Sequence, residues 1–552
     1  MAGFTAAHLV PESILTLRKG YSLEKLGQDV LAGITVGIVA LPLAMAFAIA
    51  SGVTPDRGIF TAIVAGVFIS LFGGSRYQIG GPTGAFVVIL FNIIQKHGYD
   101  GLVVCVLMAG VLLILMGFCR LGTLIKYIPY PVTTGFTAGI AVLIFSGQVK
   151  DFLGMQGADL PPDFLGKWSY YLGHLDQIDF GTLGVSAIAL AVIILVRRFI
   201  PRIPAPIVGV VAASCLALLL GAGAETIGDR FGGIPDHMPA LSFPDVSLAQ
   251  MRLLFPDALA IALLAGIESL LSCAVADGMT GEQHNSDMEL VAQGVANLGA
   301  VAFGGIAATG AIARTATNIK AGAYSPVAGI VHSLTLLCFI LLLSDMASYI
   351  ALGSLAAVLM VVAWDMSEVQ KFIRLMHAPK TDIFVLLLTF AVTVMVDLTT
   401  AVLTGVVLAA MLFMRRMSEA TEVLPVRSEK GENFYSGEYM GKEIQSYEID
   451  GPFFFGVASR FRSTMNAMQQ QPKVYILRMD HVPFVDSTGM FALETFISQC
   501  RRGGSIVLIS GVRENVLERM RNLGVLDSVG AGNVFAEYED SLRYAFELVW
   551  EG

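Results

Sequence analysis

Apolar runs separated by short polar breaks fill the chain from residue 29 to residue 416. They fall at 29–50, 58–73, 82–95, 101–119, 126–147, 181–199 and 204–222. A second set follows at 256–276, 289–304, 310–321, 324–344, 347–362, 380–397 and 399–416. A helix needs roughly 20 apolar residues to cross a hydrocarbon core of about 30 Å. The runs therefore predict membrane helices, seven followed by seven. Two of them, 82–95 and 310–321, are too short to span, and each is the third of its set. Each follows a Phe-Gly-Gly by a few residues (Phe72-Gly73-Gly74; Phe303-Gly304-Gly305), and each carries Gly-Ala before an apolar residue (Gly84-Ala85-Phe86; Gly310-Ala311-Ile312). Short, glycine-interrupted segments at matching places in two halves point to an inverted-repeat transporter with its site at the membrane midplane.

The pattern changes after Arg415-Arg416. Residues 417–445 are polar and loop-like. Beyond them, short β-rich runs at 447–449, 453–455, 474–479 and 505–510 alternate with helical patterns at 457–469, 487–501, 513–523 and 539–550. Such alternation predicts a small α/β layer domain. The chain thus divides into an N-terminal segment (1–28), a transmembrane domain (29–416), a linker (417–445) and a soluble domain (446–552).

Composition agrees. The 552 residues are 55% hydrophobic and 14% charged, against about 25% charged in soluble domains, and the mean hydropathy is +0.70. The net charge of −9 comes from loops and the C-terminal part, and no basic stripe suits nucleic acid. Of six cysteines, Cys105, Cys119, Cys215, Cys273 and Cys338 lie in apolar runs and Cys500 lies late. Their spacing suggests neither zinc nor disulfides, so no metal or cofactor is expected. The first run lacks a small-residue cleavage pattern and reads as a span rather than a signal peptide. With the N-terminus inside, the inner segments hold Arg18, Lys19, Lys25, Arg76, Arg120, Lys126, Arg197, Arg198, Arg202, Lys320, Lys371, Arg374, Lys380, Arg415 and Arg416. The outer segments hold Arg57, Lys96, Lys150, Lys167, Arg230 and Arg252. Fifteen against six predicts both termini in the cytoplasm.

Candidate chemistry is sparse. Two half-helices starting at midplane would aim free N–H groups and positive dipole ends at each other, which suits an anion. Thr83 and Thr309 precede them and can cap them or, for Thr83, meet the ligand. The small residues at 84–85 and 310–311 admit either a ligand or close helix packing. Arg314 sits one turn beyond Gly310. A charge at that depth costs at least about 2.5 kcal/mol and faces a cavity or a partner. Glu268 is the only acid deep in a predicted span, with Ser272 four residues on, on the same helix face. Pro42 lacks an N–H and can open the first span. Asp365 and Glu368 end a span and read as solvated. No nucleophile–base pair and no Walker-type glycine loop supports an enzyme.

The stretches AGITVGIVALPLAMAFAIASG (32–52), GGPTGAFVVIL (80–90), GIESLLSCAVADGMTG (266–281) and TGAIARTATN (309–318) resemble the SulP family of anion transporters. MDHVPFVDSTGMFAL (479–493) resembles a STAS domain. Within the family, the resemblance is nearest to the bacterial C4-dicarboxylate transporter. It implies an all-α polytopic domain of 14 spans, a 7+7 inverted repeat with core and gate domains and two half-helices, and a cytoplasmic α/β STAS domain. It further implies alternating access in the bacterial inner membrane, often as a homodimer, with acyl carrier protein as a possible partner of the STAS domain.

Carried over to this sequence, the resemblance puts the substrate at Pro42, Leu43 and Phe47, at Thr83, Gly84, Ala85 and Phe86, and at Gly310, Ala311, Ile312, Ala313 and Arg314. It makes Glu268 and Ser272 the coupling pair. Leu43 departs from the glutamine of some relatives. Sodium-coupled relatives have Asp, Thr and Thr where this chain has Glu268, Ser272 and Ile312. Ile312 offers no oxygen to a hard cation, so protons are expected. The expected activity is proton-coupled uptake of C4-dicarboxylates (succinate, fumarate, aspartate). Sulfate, bicarbonate or chloride transport, possibly sodium-coupled, is the alternative. A nucleobase symporter of the same fold would need a second acid in the tenth span, where Arg314 stands. In the antagonist type of STAS domain the residue at Ser487 carries a regulatory phosphate; Asp486-Ser487 is equally an ordinary N-cap.

Overall fold

The computed structural model describes residues 9–18, 20–125, 129–155, 160–161, 163–200, 203–221, 223–241, 247–425, 443–458, 461 and 472–550. Lys19, Lys126 and Arg202 of the charge count lie outside these, as do 426–442 of the expected linker and most of the expected helix 457–469. The chain forms two compact units, divided between Val406 and Val407.

Among the described residues, each of the fourteen apolar runs carries a helix. In order come α1 (Leu23–Ala50), α2 (Pro55–Phe72), the strand β1 (Gly80–Gly81), α3 (Gly84–Phe118), α4 (Tyr130–Leu153), α5 (Phe180–Phe199) and α6 (Ala205–Leu220). Then come α7 (Leu248–Thr280), α8 (Ser286–Ala302), β2 (Thr309–Gly310), α9 (Ile312–Lys320), α10 (Val327–Ala347), α11 (Leu352–Met366), α12 (Lys380–Met395) and α13 (Leu398–Ala420). Nine helices among the described residues are long and apolar enough to cross a membrane. The runs 82–95 and 101–119 are two helices that meet at a kink. They share α3, whose one break is Gly98 at φ 69° and ψ −176°, a conformation that glycine reaches without penalty.

Helix starts follow local chemistry. Ser22 accepts the Lys25 amide at the head of α1, and Asp179 accepts the amides of Gly181 and Thr182 at the head of α5. Pro129 and Pro204 precede α4 and α6, where a missing N–H costs nothing. Two bundles result. In one, α3 packs on α7 and α8, α1 on α10, and α2 on α1, α8 and α10. In the other, α4 packs on α11 and α12, and α5 on α6 and α11. Asp29 is fully buried at the head of α1. Its carboxylate accepts the amides of Tyr324 (2.6 Å) and Ser325 (3.0 Å) and the hydroxyls of Tyr21 (2.6 Å) and Ser325 (2.5 Å). It thereby fixes the turn after α9 to the first span.

The second unit holds a five-stranded sheet in the order β3 (Glu422–Pro425), β4 (Ile444–Asp450), β5 (Val474–Arg478), β6 (Ile506–Ser510) and β7 (Val534–Phe535). Only the β3–β4 pair is antiparallel. Helices α14 (Ser487–Arg502), α15 (Glu514–Asn522) and α16 (Tyr538–Trp550) complete it. One face buries Phe453, Phe461 and Phe496 edge to face, and the other buries Ile444, Ile476 and Leu508 near Ala545. Parallel strands covered on both faces explain their continuous apolar runs. Three expectations change. Residues 417–420 prolong α13 and 422–425 form an edge strand, where loop was expected. The run 453–455 is not a strand, since only Phe453 bridges to Val485. The two-residue β7 is too short to leave an alternation signal.

Candidate functional site

The two halves of the transmembrane unit meet where β1 and β2 cross. Gly80 pairs with Gly310 and Gly81 with Thr309, antiparallel, and the Ala311 amide donates to the Ile79 carbonyl (2.8 Å). Helices α3 and α9 start immediately after. Gly81 has φ 148°, and a Cβ there would lie 2.6 Å from Arg314 Nη1 and 3.3 Å from Ala62 Cα. Only a glycine admits both the conformation and the approach. No side chain caps either half-helix. Thr83 holds the N-cap position of α3 but donates its hydroxyl to Glu268 Oε2 (2.8 Å). Thr309 donates to the Ala265 carbonyl (2.9 Å), and Ala311 holds the N-cap position of α9. The capping expected of the two threonines is absent because each hydroxyl has a partner on α7. The helix ends keep their donors and dipole for a ligand.

A cavity of about 880 Å³ opens beside this crossing. Leu43 and Phe47 line it from α1, Thr83, Gly84 and Ala85 from the first half-helix, Glu268 from α7, and Ala311, Ile312, Ala313 and Arg314 from the second half-helix. Four expected residues do not line it. Phe86 is 1% exposed in the apolar core, and Pro42 is buried inside α1, which stays helical through it. Gly310 sits against the amide of Gln78. Ser272 is fully buried and donates to Gln78 Oε1 (2.8 Å) and Thr315 Oγ1 (3.1 Å), not toward Glu268. It shares a helix face with Glu268, but its short side chain ends in the packing between α7 and α9.

Arg314 is 2% exposed. Its Nη2 donates to the Pro82 carbonyl, while Nη1 has no hydrogen-bond partner among the described residues. The charge therefore stands behind both half-helix ends at once. Glu268 and Arg314 are held by different partners and form no ion pair among the described residues. Asp365 and Glu368 are not merely solvated. They line the cavity mouth with Arg197 and Lys320, Asp365 pairs with Arg197, and Glu368 with Lys371 (2.6 Å). Lys320 has no ion pair among the described residues.

Three buried polar groups escaped sequence reasoning. Gln78 spans the crossing: Nε2 donates to the Ser269 carbonyl and hydroxyl (both 3.2 Å), and Oε1 accepts from Ser272 and Thr315. Thr315 in turn accepts the Ile79 amide (3.1 Å). Glu289, fully buried, accepts from the Gly74 amide (2.9 Å), Ser269 (2.9 Å) and Gln293 (2.7 Å). His332 is fully buried, and neither ring nitrogen has a partner among the described residues. Only the position of Glu289, at the edge of an apolar run, hinted at burial.

In the soluble unit Asp486 is the N-cap of α14. Its carboxylate accepts the amides of Gly489 (2.7 Å) and Phe455 (3.1 Å). Ser487 follows as an exposed first helical residue. No cluster of metal-ligating side chains exists among the described residues.

Residues 26–389 match the sulfate permease family, and residues 442–541 match the STAS domain. The chain is 42% identical over 529 residues to "Putative sulfate transporter YvdB" of Bacillus subtilis (strain 168), covering 95% of this chain and 98% of that one. It is 29% identical to the bicarbonate transporter BicA of Picosynechococcus sp., covering 94% of each chain. Among solved structures, murine Slc26a9, an anion transporter in the inward-facing state, matches with a TM-score of 0.87 at 18% identity. That match covers 99% of this chain and 95% of that one, and it shows the shared fold. The transmembrane domain of a cyanobacterial BicA matches with a TM-score of 0.61 at 28% identity, covering 70% of this chain and 98% of that one.

Proposed function

The chain belongs to the sulfate permease family of multi-pass anion transporters and carries a STAS domain, and from that premise we propose that it takes up a small dianion with protons. The supporting observation is the pairing of Arg314 with two uncapped half-helix ends on one wall, while Glu268 stands unpaired with Arg314 in the same cavity. An anion at the helix ends gains the dipoles and the guanidinium charge. A proton on Glu268, the acceptor of the Thr83 hydroxyl, removes a negative charge beside the helix ends.

Lys320 supports a dianion with two separated charges. It lies six residues beyond Arg314 on α9, about 9 Å along the axis at the α-helical rise, and both line the cavity. One carboxylate of a C4-dicarboxylate would meet the helix ends, and the other would face Lys320. Sulfate is the second reading, favoured by the name of the 42% identical relative; bicarbonate and chloride stand behind it. Protons are favoured over sodium because the Ser272 oxygen is committed to Gln78 and Thr315, and Ile312 brings none. We further assign the protein to the bacterial inner membrane with both termini cytoplasmic, as a homodimer. Ser487 is a candidate regulatory phosphate site, and acyl carrier protein a candidate STAS partner.

Uptake of labelled succinate, sulfate and bicarbonate into proteoliposomes, with and without an inward proton gradient, tests the reading. Gradient-driven succinate uptake that is lost in Glu268→Gln supports it. Sulfate or bicarbonate uptake without succinate uptake sinks the dicarboxylate assignment and leaves the anion site standing.

A further inference from the structure

A second cavity, of about 890 Å³, lies between α4, α5 and α11. Its walls are apolar, with Phe145 and Val149 from α4, Ile194 from α5 and Trp364 from α11. Arg197 and Arg198 stand together at one end. Ile194 is 53% and Trp364 70% exposed, so the trough faces the surroundings of the bundle. Arg197 is tied to Asp365. Arg198, beside it and exposed, has no hydrogen bond or ion pair among the described residues.

We propose that this trough seats one anionic phospholipid, with the phosphate on Arg198 and an acyl chain along the apolar wall of Phe145, Val149 and Ile194. Charge complementarity selects the occupant. A free anion would gain nothing from the trough, and a zwitterionic lipid would leave the arginine only partly neutralised. A second copy of the chain seated here would bury Arg198 unpaired, at a desolvation cost of several kcal/mol. A tryptophan near the arginine end suits the headgroup level, where aromatic side chains collect. The site also touches transport. Arg197 and Val361 line this trough and the substrate cavity alike. A phosphate on Arg198 is placed to compete with Asp365 for Arg197, and so to alter the charge at the cavity mouth. The assignment holds whichever anion the cavity carries.

Native mass spectrometry of the full-length protein, with phosphatidylglycerol and phosphatidylcholine of matched chains, tests it. The parent should retain phosphatidylglycerol in preference to phosphatidylcholine. Arg198→Gln should reduce that retention about tenfold, the weight of one charge-assisted contact. Ile194→Trp, which narrows the trough, should reduce it while leaving every charge in place. Both variants should keep the parent's melting temperature and its uptake in phosphatidylcholine vesicles, because neither residue lines the substrate cavity. Equal retention of the two lipids overturns the proposal, as does unchanged retention in Arg198→Gln. Displacement of the lipid by inorganic phosphate alone would mean a headgroup site without a chain. Loss of dimer mass in Ile194→Trp, with lipid retention unchanged, would make a second copy the occupant.

Discussion

Arg314 donates to the carbonyl of Pro82, the residue just before the N-cap of the opposite half-helix. One guanidinium thus ties the third segment of one repeat to the third segment of the other, 232 residues apart. Its planar fork serves the tie through one arm and leaves the second arm unpartnered. Lysine has the charge but not the fork. Arg314→Lys should therefore fold and lose uptake by about 10–100-fold, the range of a hydrogen bond to a charged group. Concentration-dependent uptake by the purified protein checks this. Parent-like uptake would show that charge alone suffices.

Sodium should have no effect. Uptake in sodium and in choline buffers at one pH should agree within error, because among the described residues Glu268 has one hydrogen-bond partner, the Thr83 hydroxyl, and Ile312 brings no oxygen. A severalfold stimulation by sodium would require ligands other than those seen here.

Gln78→Ala removes the shared acceptor of the Ser272 and Thr315 hydroxyls and, since one of the two can still donate to the other, leaves one buried hydroxyl proton without an acceptor. Unsatisfied buried groups cost about 1–3 kcal/mol each. The transmembrane unit should melt several degrees lower, read as thermal loss of monodisperse protein. An unchanged midpoint would mean that water replaces the amide.

The half-helix crossing was legible in the sequence because its signals are local: two short runs, two glycine pairs and an arginine in apolar surroundings. The network behind it was not. Gln78 bonds to residues 191 to 237 positions away, and nothing near it in sequence marks those partners. The same distance hid the pairing of Arg197 with Asp365, 168 residues apart, so Asp365 read as a solvated helix end. Ser272 was placed by helix periodicity on the face of Glu268. Periodicity gives the face, but side-chain length decides which residue reaches the cavity.

Lys320→Gln should weaken a dicarboxylate more than a monoanion. An exposed, screened charge is worth about 0.2–1 kcal/mol. The half-saturation constant for succinate should rise two- to fivefold, with little change for a monocarboxylate of equal length. Equal effects on both would reduce Lys320 to a general attractor of anions.

Asp486→Ala removes two amide contacts at the head of α14 and should cost about 1 kcal/mol locally. Amide exchange at 487–490 in the full-length protein should quicken, with no change in the transmembrane helices. Protection as in the parent would mean that the helix start is held by packing alone.

On the proposed site, the uncapped ends of α3 and α9 make the anion part of the architecture as well as its cargo. An empty site leaves two helix termini without the acceptor that a serine or aspartate supplies elsewhere in this chain, as Asp179 does for α5. Whatever anion fills the gap binds only the folded state, and at 100 times its dissociation constant it adds about 2.7 kcal/mol of stability. The salt in the purification buffer thereby becomes a reagent. Melting temperatures compared across chloride, sulfate and succinate rank the ligands before any transport is measured.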